Sequence, residues 1–310
     1  MSTVRVYKST DPGAPPHPSA LRGSMAALLR ACLVTGYGSG DDAKASAGWE
    51  EPFTESGNYA VFRALTGARQ FFQIDDNQAD ADVTAVRAFE SMVDVTGGGG
   101  LWLASSPTNC YFGKRYSGSD TYSTSWLVIA DEVTCYVFLN SVNGFVAHGF
   151  GEYQSYLDDN PYNSFFAGHN YNAGLPSSAS EQVAIGLVRE LGYGGILFLH
   201  RDISLGSVAA VGLVPLAGVN TNNPGGAGFV SASTYPGRSY PVCPLEIGGG
   251  AKSVVGGRLR GLYAPLANRP KTHLETFSHD GKTFMAVNYA NHSNAGWYGQ
   301  FWVDITGSWA

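Results

Sequence analysis

Apolar positions along this chain follow two periods. Between Ser19 and Val34 they stand at Leu21, Met25, Leu28, Leu29, Cys32 and Leu33, the spacing of a helix with one buried stripe. Gly36 and Gly38 follow and predict a turn that ends the helix and positions Tyr37 and, further on, Trp49. Beyond Trp49 the period shortens to two. Residues 59–65, 69–75 and 83–89 alternate apolar with polar or small side chains, which predicts antiparallel strands with one buried face. The glycines at 97–100 predict a break in this run.

Two hairpins stand out further along. Residues 125–139 hold two mirror-image apolar runs around a tight turn at Ala130, Asp131 and Glu132. Residues 276–287 centre on Asp280-Gly281, the dipeptide suited to a type I′ turn. Residues 196–200, 207–214 and 299–305 are further strand candidates. The pattern predicts a mainly β fold: an antiparallel β-sandwich or barrel-like domain with one N-terminal helix and long Gly-rich loops. Residues 1–310 read as one large β-rich domain. The Gly/Ser/Asn-rich stretch at about 170–180 is the best hinge, giving a possible subdivision into 1–172 and 173–310.

Composition narrows the partners. Only 14% of residues are charged, against about 25% in an average soluble domain, so little solvation opposes burial against another protein. The net charge is −6 and no Lys/Arg run is present, which argues against a phosphate-binding stripe for nucleic acid. No apolar run approaches the ~20 residues of a helical membrane span, and the first residues alternate like a strand rather than a signal peptide. Cys32, Cys110, Cys135 and Cys243 form no C-x-x-C pair and read as buried free thiols.

Candidate chemistry is thin. Residues 248–253 resemble a phosphate loop only superficially, since Ala251 and Glu246 stand where it needs glycine. His200, Arg201 and Asp202 spell the start of a kinase catalytic loop, but Ser207 replaces the magnesium-binding asparagine, so a charged turn is expected. Asp75, Asp76, Asn77, Asp80 and Asp82 could offer oxygens to Ca²⁺, yet they lack the EF-hand spacing and read as a solvated loop. Asp158, Asp159 and Asn160 read as turn chemistry before Pro161. The histidines at 17, 148, 169, 200, 273, 279 and 292 never occur as H-x-H or H-x-x-x-H. The nearest approach to a G-x-S-x-G elbow, at Ser46, has Lys44 in place of the first glycine. No catalytic residue, cofactor site or metal site is read from the chain.

Aromatic residues in glycine-rich segments are the remaining candidates. Tyr37, Trp49, Tyr156, Tyr162, Phe165, Phe166 and Tyr171 are expected to carry assembly contacts, since aromatic rings bury much area with few rotatable bonds. The rings between Tyr153 and Tyr171 would equally suit a small local core under a long loop.

Several segments, in order, resemble a family of virion structural proteins from tailed bacteriophages. They are residues 4–15, the helix at 28–34, Gly36 to Ser39, Ala47 to Trp49, Ala60 to Arg63, Gln73 to Asp76, and residues 87–94, 126–132, 150–156 and 258–265. The insert at 40–44 lengthens the turn relative to the family pattern. The resemblance implies a non-enzymatic particle component, assembled in the host cytoplasm and residing in the virion. Its partners would be other virion proteins and copies of itself, with no nucleic acid, membrane or small-molecule substrate. A tail-associated place (baseplate, tail tip or collar) is favoured over a capsid decoration protein. The alternative outside this class is a glycan or cell-wall hydrolase on a β-scaffold.

Overall fold

The computed structural model describes residues 3–18, 21–55, 57–78, 83–103, 110–114, 125–141, 144–156, 162–170, 195–199, 212–215, 242–249, 254–265, 271–290 and 298–309. In chain order these give β1 (Arg5–Lys8), α1 (Ser24–Arg30), β2 (Trp49–Thr54), β3 (Tyr59–Ala64), β4 (Phe71–Asp75), β5 (Val83–Met92), β6 (Gly98–Leu103) and β7 (Cys110–Gly113). There follow β8 (Trp126–Ala130), β9 (Thr134–Ser141), β10 (Gly144–Glu152), β11 (Gln154–Ser155), β12 (Ser164–Asn170), β13 (Gly195–Leu199) and β14 (Gly212–Pro215). The last strands are β15 (Val242–Gly249), β16 (Val254–Pro265), β17 (Thr276–His279), β18 (Lys282–Ala290) and β19 (Tyr298–Asp304). The fold is mainly β, with antiparallel, sandwich-like sheets, one α-helix among the described residues and no closed barrel.

A central sheet, β1-β8-β9-β10-β12, organises the rest. Its register sorts side chains pairwise onto two faces. Trp126 opposes Leu139, Val128 opposes Val137 and Ala130 opposes Cys135, and all six lie in one apolar core. Leu127 opposes Phe138 and Ile129 opposes Tyr136, and these four lie in a second core on the other face. Strands covered on both sides need no polar alternation. The near-continuous apolar run at 126–139 follows from that geometry, where an exposed face would have required polar positions.

The first core is closed by the sheet β2-β3-β4-β5-β7, joined to the central sheet at β7–β12. It contributes Phe62, Phe72, Ile74, Val86 and Phe112. Helix α1 adds Met25, Ala26, Leu28 and Leu29. The helix is shorter than the sequence pattern suggests: seven residues, continued by a wider turn over Ala31–Thr35 that still buries Cys32 and Leu33. Leu21 lies before the helix start and is exposed, so the apolar stripe begins at Met25. The second core is closed by β15, β16, β18 and β19 through Ile247, Leu259, Leu262, Met285, Val287, Phe301 and Val303.

Smaller features follow their local chemistry. Asp280 and Gly281 both adopt positive φ (48° and 74°) between β17 and β18, as a type I′ turn requires. The glycines at 98–100 do not break the sheet: they form the start of β6, paired with β5 from Met92–Gly98 to Ala88–Leu103. The turn is made instead by residues 93–97, where the Val93 N–H donates to the Gly97 carbonyl. The chain ends are tied together, the Val4 N–H donating to the Gly307 carbonyl at 2.8 Å. Trp309 is buried against Tyr136, ring centroids 5.4 Å apart.

Leu29 is fully buried between α1 and the first core. Leu29→Ala is expected to cost about 2–5 kcal/mol, read as a lower midpoint in urea unfolding with an unchanged slope. An unaltered midpoint would place this side chain outside the core.

Candidate interaction surface

The seven aromatic candidates divide by burial. Trp49 is buried in the first core, its Nε1–H donating to the Asp131 carbonyl at 2.8 Å and its ring lying edge-on to Phe150 at 5.5 Å. Phe165 and Phe166 are both fully buried, Phe165 in the second core and Phe166 in the first. Neighbouring residues of a strand point to opposite faces, so a Phe-Phe pair in a doubly covered strand is core on both sides. These three rings are internal packing and offer no area to a partner: Phe165 and Phe166 take the core reading that the sequence left open, and Trp49 leaves the set of expected contacts. Tyr37 is half-buried, donating its hydroxyl to Asp11 Oδ2 at 2.7 Å and packing against Tyr7 and Trp126. Tyr162 is half-buried and Tyr156 is 49% exposed, the most exposed of the described rings of the set. Tyr171 lies outside the described residues, as do His200 to Asp202, Asp80, Asp82, Asp158 to Asn160, residues 250–253 and most of the hinge segment.

Charged groups in the interior serve as brackets. Asp76 is not a solvated loop residue: its side chain and that of Lys114 are both fully buried, Lys114 Nζ standing 2.6 Å from Asp76 Oδ1. The Thr84 hydroxyl donates to the same oxygen at 2.7 Å, and the Met25 N–H donates to Oδ2 at 2.8 Å. Helix α1 begins after Gly23 without a side-chain cap of its own, so this distant carboxylate satisfies its first turn. Lys114 Nζ also donates to the Leu21 carbonyl at 2.9 Å.

A second bracket joins the two cores. Asp131, in the β8–β9 turn, accepts the Val133 and Thr134 N–H groups and pairs with Arg260 of β16 at 3.0 Å. Arg260 also donates to Thr134 Oγ1 at 3.1 Å and to the Trp309 carbonyl at 2.9 Å. Beside it, Glu152 accepts from the Ala68 N–H and from Asn163 Nδ2, holding the β3–β4 loop against the central sheet. Burial pushes the Glu152 carboxyl above the usual carboxylate range, against the opposing pull of the Ala68 and Asn163 hydrogen bonds.

The three described thiols have no nucleophilic setting. Cys32, Cys110 and Cys135 are buried and unbridged. Burial raises all three, Cys110 to about 12, so they stay protonated at neutral pH. Among the described residues no three His, Cys, Asp or Glu side chains converge as metal ligands, and no helix is long and apolar enough to cross a membrane.

Exposed apolar area concentrates where β5 turns into β6. Val93 is 81% exposed and Leu101 43% exposed, and Gly98, Gly99 and Gly100 between them are exposed too. The β3–β4 loop places exposed Leu65 toward the same end of the sheet, since Arg63 opposes Phe71, Phe71 opposes Phe89 and Phe89 opposes Leu101. Among the described residues β6 pairs with β5 alone. Gly98–Leu103 holds no lysine, arginine or proline. The expected break at these glycines is instead the start of β6; the signal available was the apolar Leu101-Trp102-Leu103 that follows them directly.

No protein-family model matches this sequence, and no curated protein matches it either.

Glu152 sets a testable pH dependence. Its folded state binds the proton more tightly than the unfolded chain, so its contribution is fully present below the ordinary carboxylate range. That contribution is lost as pH rises through the raised folded value. Unfolding free energies of wild type and Glu152→Gln, compared at pH 4 and pH 8, should therefore show wild type losing ground to the variant at the higher pH. A pH-independent difference would contradict this assignment.

Proposed function

We propose that this protein is a non-enzymatic structural subunit of a tailed-phage virion, tail-associated, acting by docking on copies of itself and on neighbouring virion proteins. The observation that supports it best is the exposed apolar area where β5 turns into the glycine-rich strand β6, carried by Val93 and Leu101. Exposed glycines let another backbone approach closely, and the flanking apolar side chains give a partner area to bury. The low charge of the chain fits burial against a neighbour. The interior supports the same reading, because its ionic groups are spent on fixing elements to one another. A stable contact of this kind would bury about 1,600 Å² in total.

Purified particles, separated into tails and capsids and examined by mass spectrometry, test this reading. The protein should co-purify with tails. Recovery with capsids would move it to the decoration role, and recovery only in host cytosol would refute a virion part. Val93→Asp with Leu101→Asp should cut incorporation at least tenfold while leaving the isolated protein's stability within about 1 kcal/mol, as for exposed substitutions elsewhere. Normal incorporation of that variant would show that this surface is not the docking site.

A further inference from the structure

Lys114 and Asp76 are arranged for more than an ion pair, and we propose that they condense to an intramolecular isopeptide bond. Both side chains are wholly excluded from solvent, and the amine nitrogen stands 2.6 Å from Asp76 Oδ1. Proton transfer along that hydrogen bond gives a neutral amine beside a carboxylic acid. Nζ then attacks Cγ, and the tetrahedral intermediate collapses with loss of Oδ1 as water. The balance is closed: an ammonium and a carboxylate become one secondary amide and one water, with no oxidant, reductant or cofactor.

Each partner on the page fits a place in that reaction. Oδ1, the leaving oxygen, is held by Nζ and by the Thr84 hydroxyl at 2.7 Å, which can relay the second proton to it. Oδ2 accepts the Met25 N–H at 2.8 Å, a donor that stabilises negative charge on this oxygen in the intermediate and then remains bonded to it as the amide carbonyl. The hydrogen left on Nζ already points to the Leu21 carbonyl at 2.9 Å. The product amide would therefore have its donor and acceptor satisfied by groups now in place. Holding two reactants in contact supplies an effective concentration of ~10⁵–10⁸ M, and a dry site favours the side of the equilibrium that expels water. The bond would also remove two buried charges, the costly element of a buried ion pair.

The staple would close the chain between positions 38 residues apart, locking β7 to the β4–β5 connection and to the start of α1. It does not depend on the virion reading, and it fails or stands separately. A subunit under mechanical load would gain a link that cannot unzip.

Intact mass of the denatured full-length protein tests it directly. Wild type should run about 18 Da below the mass of its sequence, the loss of one water, and Lys114→Arg should show its full calculated mass. Trypsin should leave Lys114 uncut and yield residues 70–87 joined to residues 88–115 as one species. Thr84→Val should slow the appearance of that species after synthesis, with Thr84→Ser close to wild type. Wild type at its full mass, with cleavage after Lys114, would overturn the proposal even if no variant folds.

Discussion

A sheet with two apolar faces cannot stand in water, and the rest of this molecule is built around that constraint. Strands β8 and β9 place Trp126, Val128, Val137 and Leu139 on one face and Leu127, Ile129, Tyr136 and Phe138 on the other, all buried. Covering both faces takes two further layers, the N-terminal sheet with α1 and the C-terminal strands β15, β16, β18 and β19. Packing then fixes neighbours at close range. A Cβ on Gly149 would sit 2.9 Å from the Tyr136 ring, so the β10 backbone approaches its neighbours only because that residue has no side chain. Gly261, at φ +66°, takes a turn few other residues adopt and would drive a Cβ into the Trp309 indole.

The two ionic brackets act at the seams between these layers. Asp131 and Arg260 join the β8–β9 turn to β16 and to the C-terminal Trp309, linking the central sheet to the second layer. Asp76 and Lys114 join β7, the end of β4 and the first turn of α1. Charges this deeply buried gain little over apolar packing of the same volume, but losing one partner strands the other in the core. Their hydrogen bonds are directional, tying the first turn of α1 to Asp76 and the β8–β9 turn to Arg260. An isopeptide bond at the second site would turn that preference into a fixed connection.

Local signals in the chain made much of the fold legible. The stripe Met25, Leu28, Leu29, Leu33 located the helix, and Asp280-Gly281 located a hairpin, because each depends only on near neighbours. What could not be read involves residues brought together by topology. Asp76 looks like one acid in a polar loop until Lys114 arrives from 38 positions away. Arg260 has no feature marking it as the partner of Asp131, 129 positions earlier. Phe165 and Phe166 are ambiguous for a related reason: two adjacent aromatic residues in a strand are both core only if both faces are covered, and coverage is set elsewhere in the chain. Strand β6 was missed because its glycines carry no periodicity, although the backbone of glycine pairs as readily as any other.

If the doubly covered sheet is the element on which everything else rests, it should be the last part of the molecule to open. Native-state hydrogen exchange read by mass spectrometry tests this, since protection reports the free energy of opening segment by segment. Amides of β8 and β9 should exchange only through global unfolding, and the β5–β6 hairpin and the β17–β18 hairpin should exchange earlier through local opening. Exchange of β8 and β9 as fast as either outer hairpin would contradict the account.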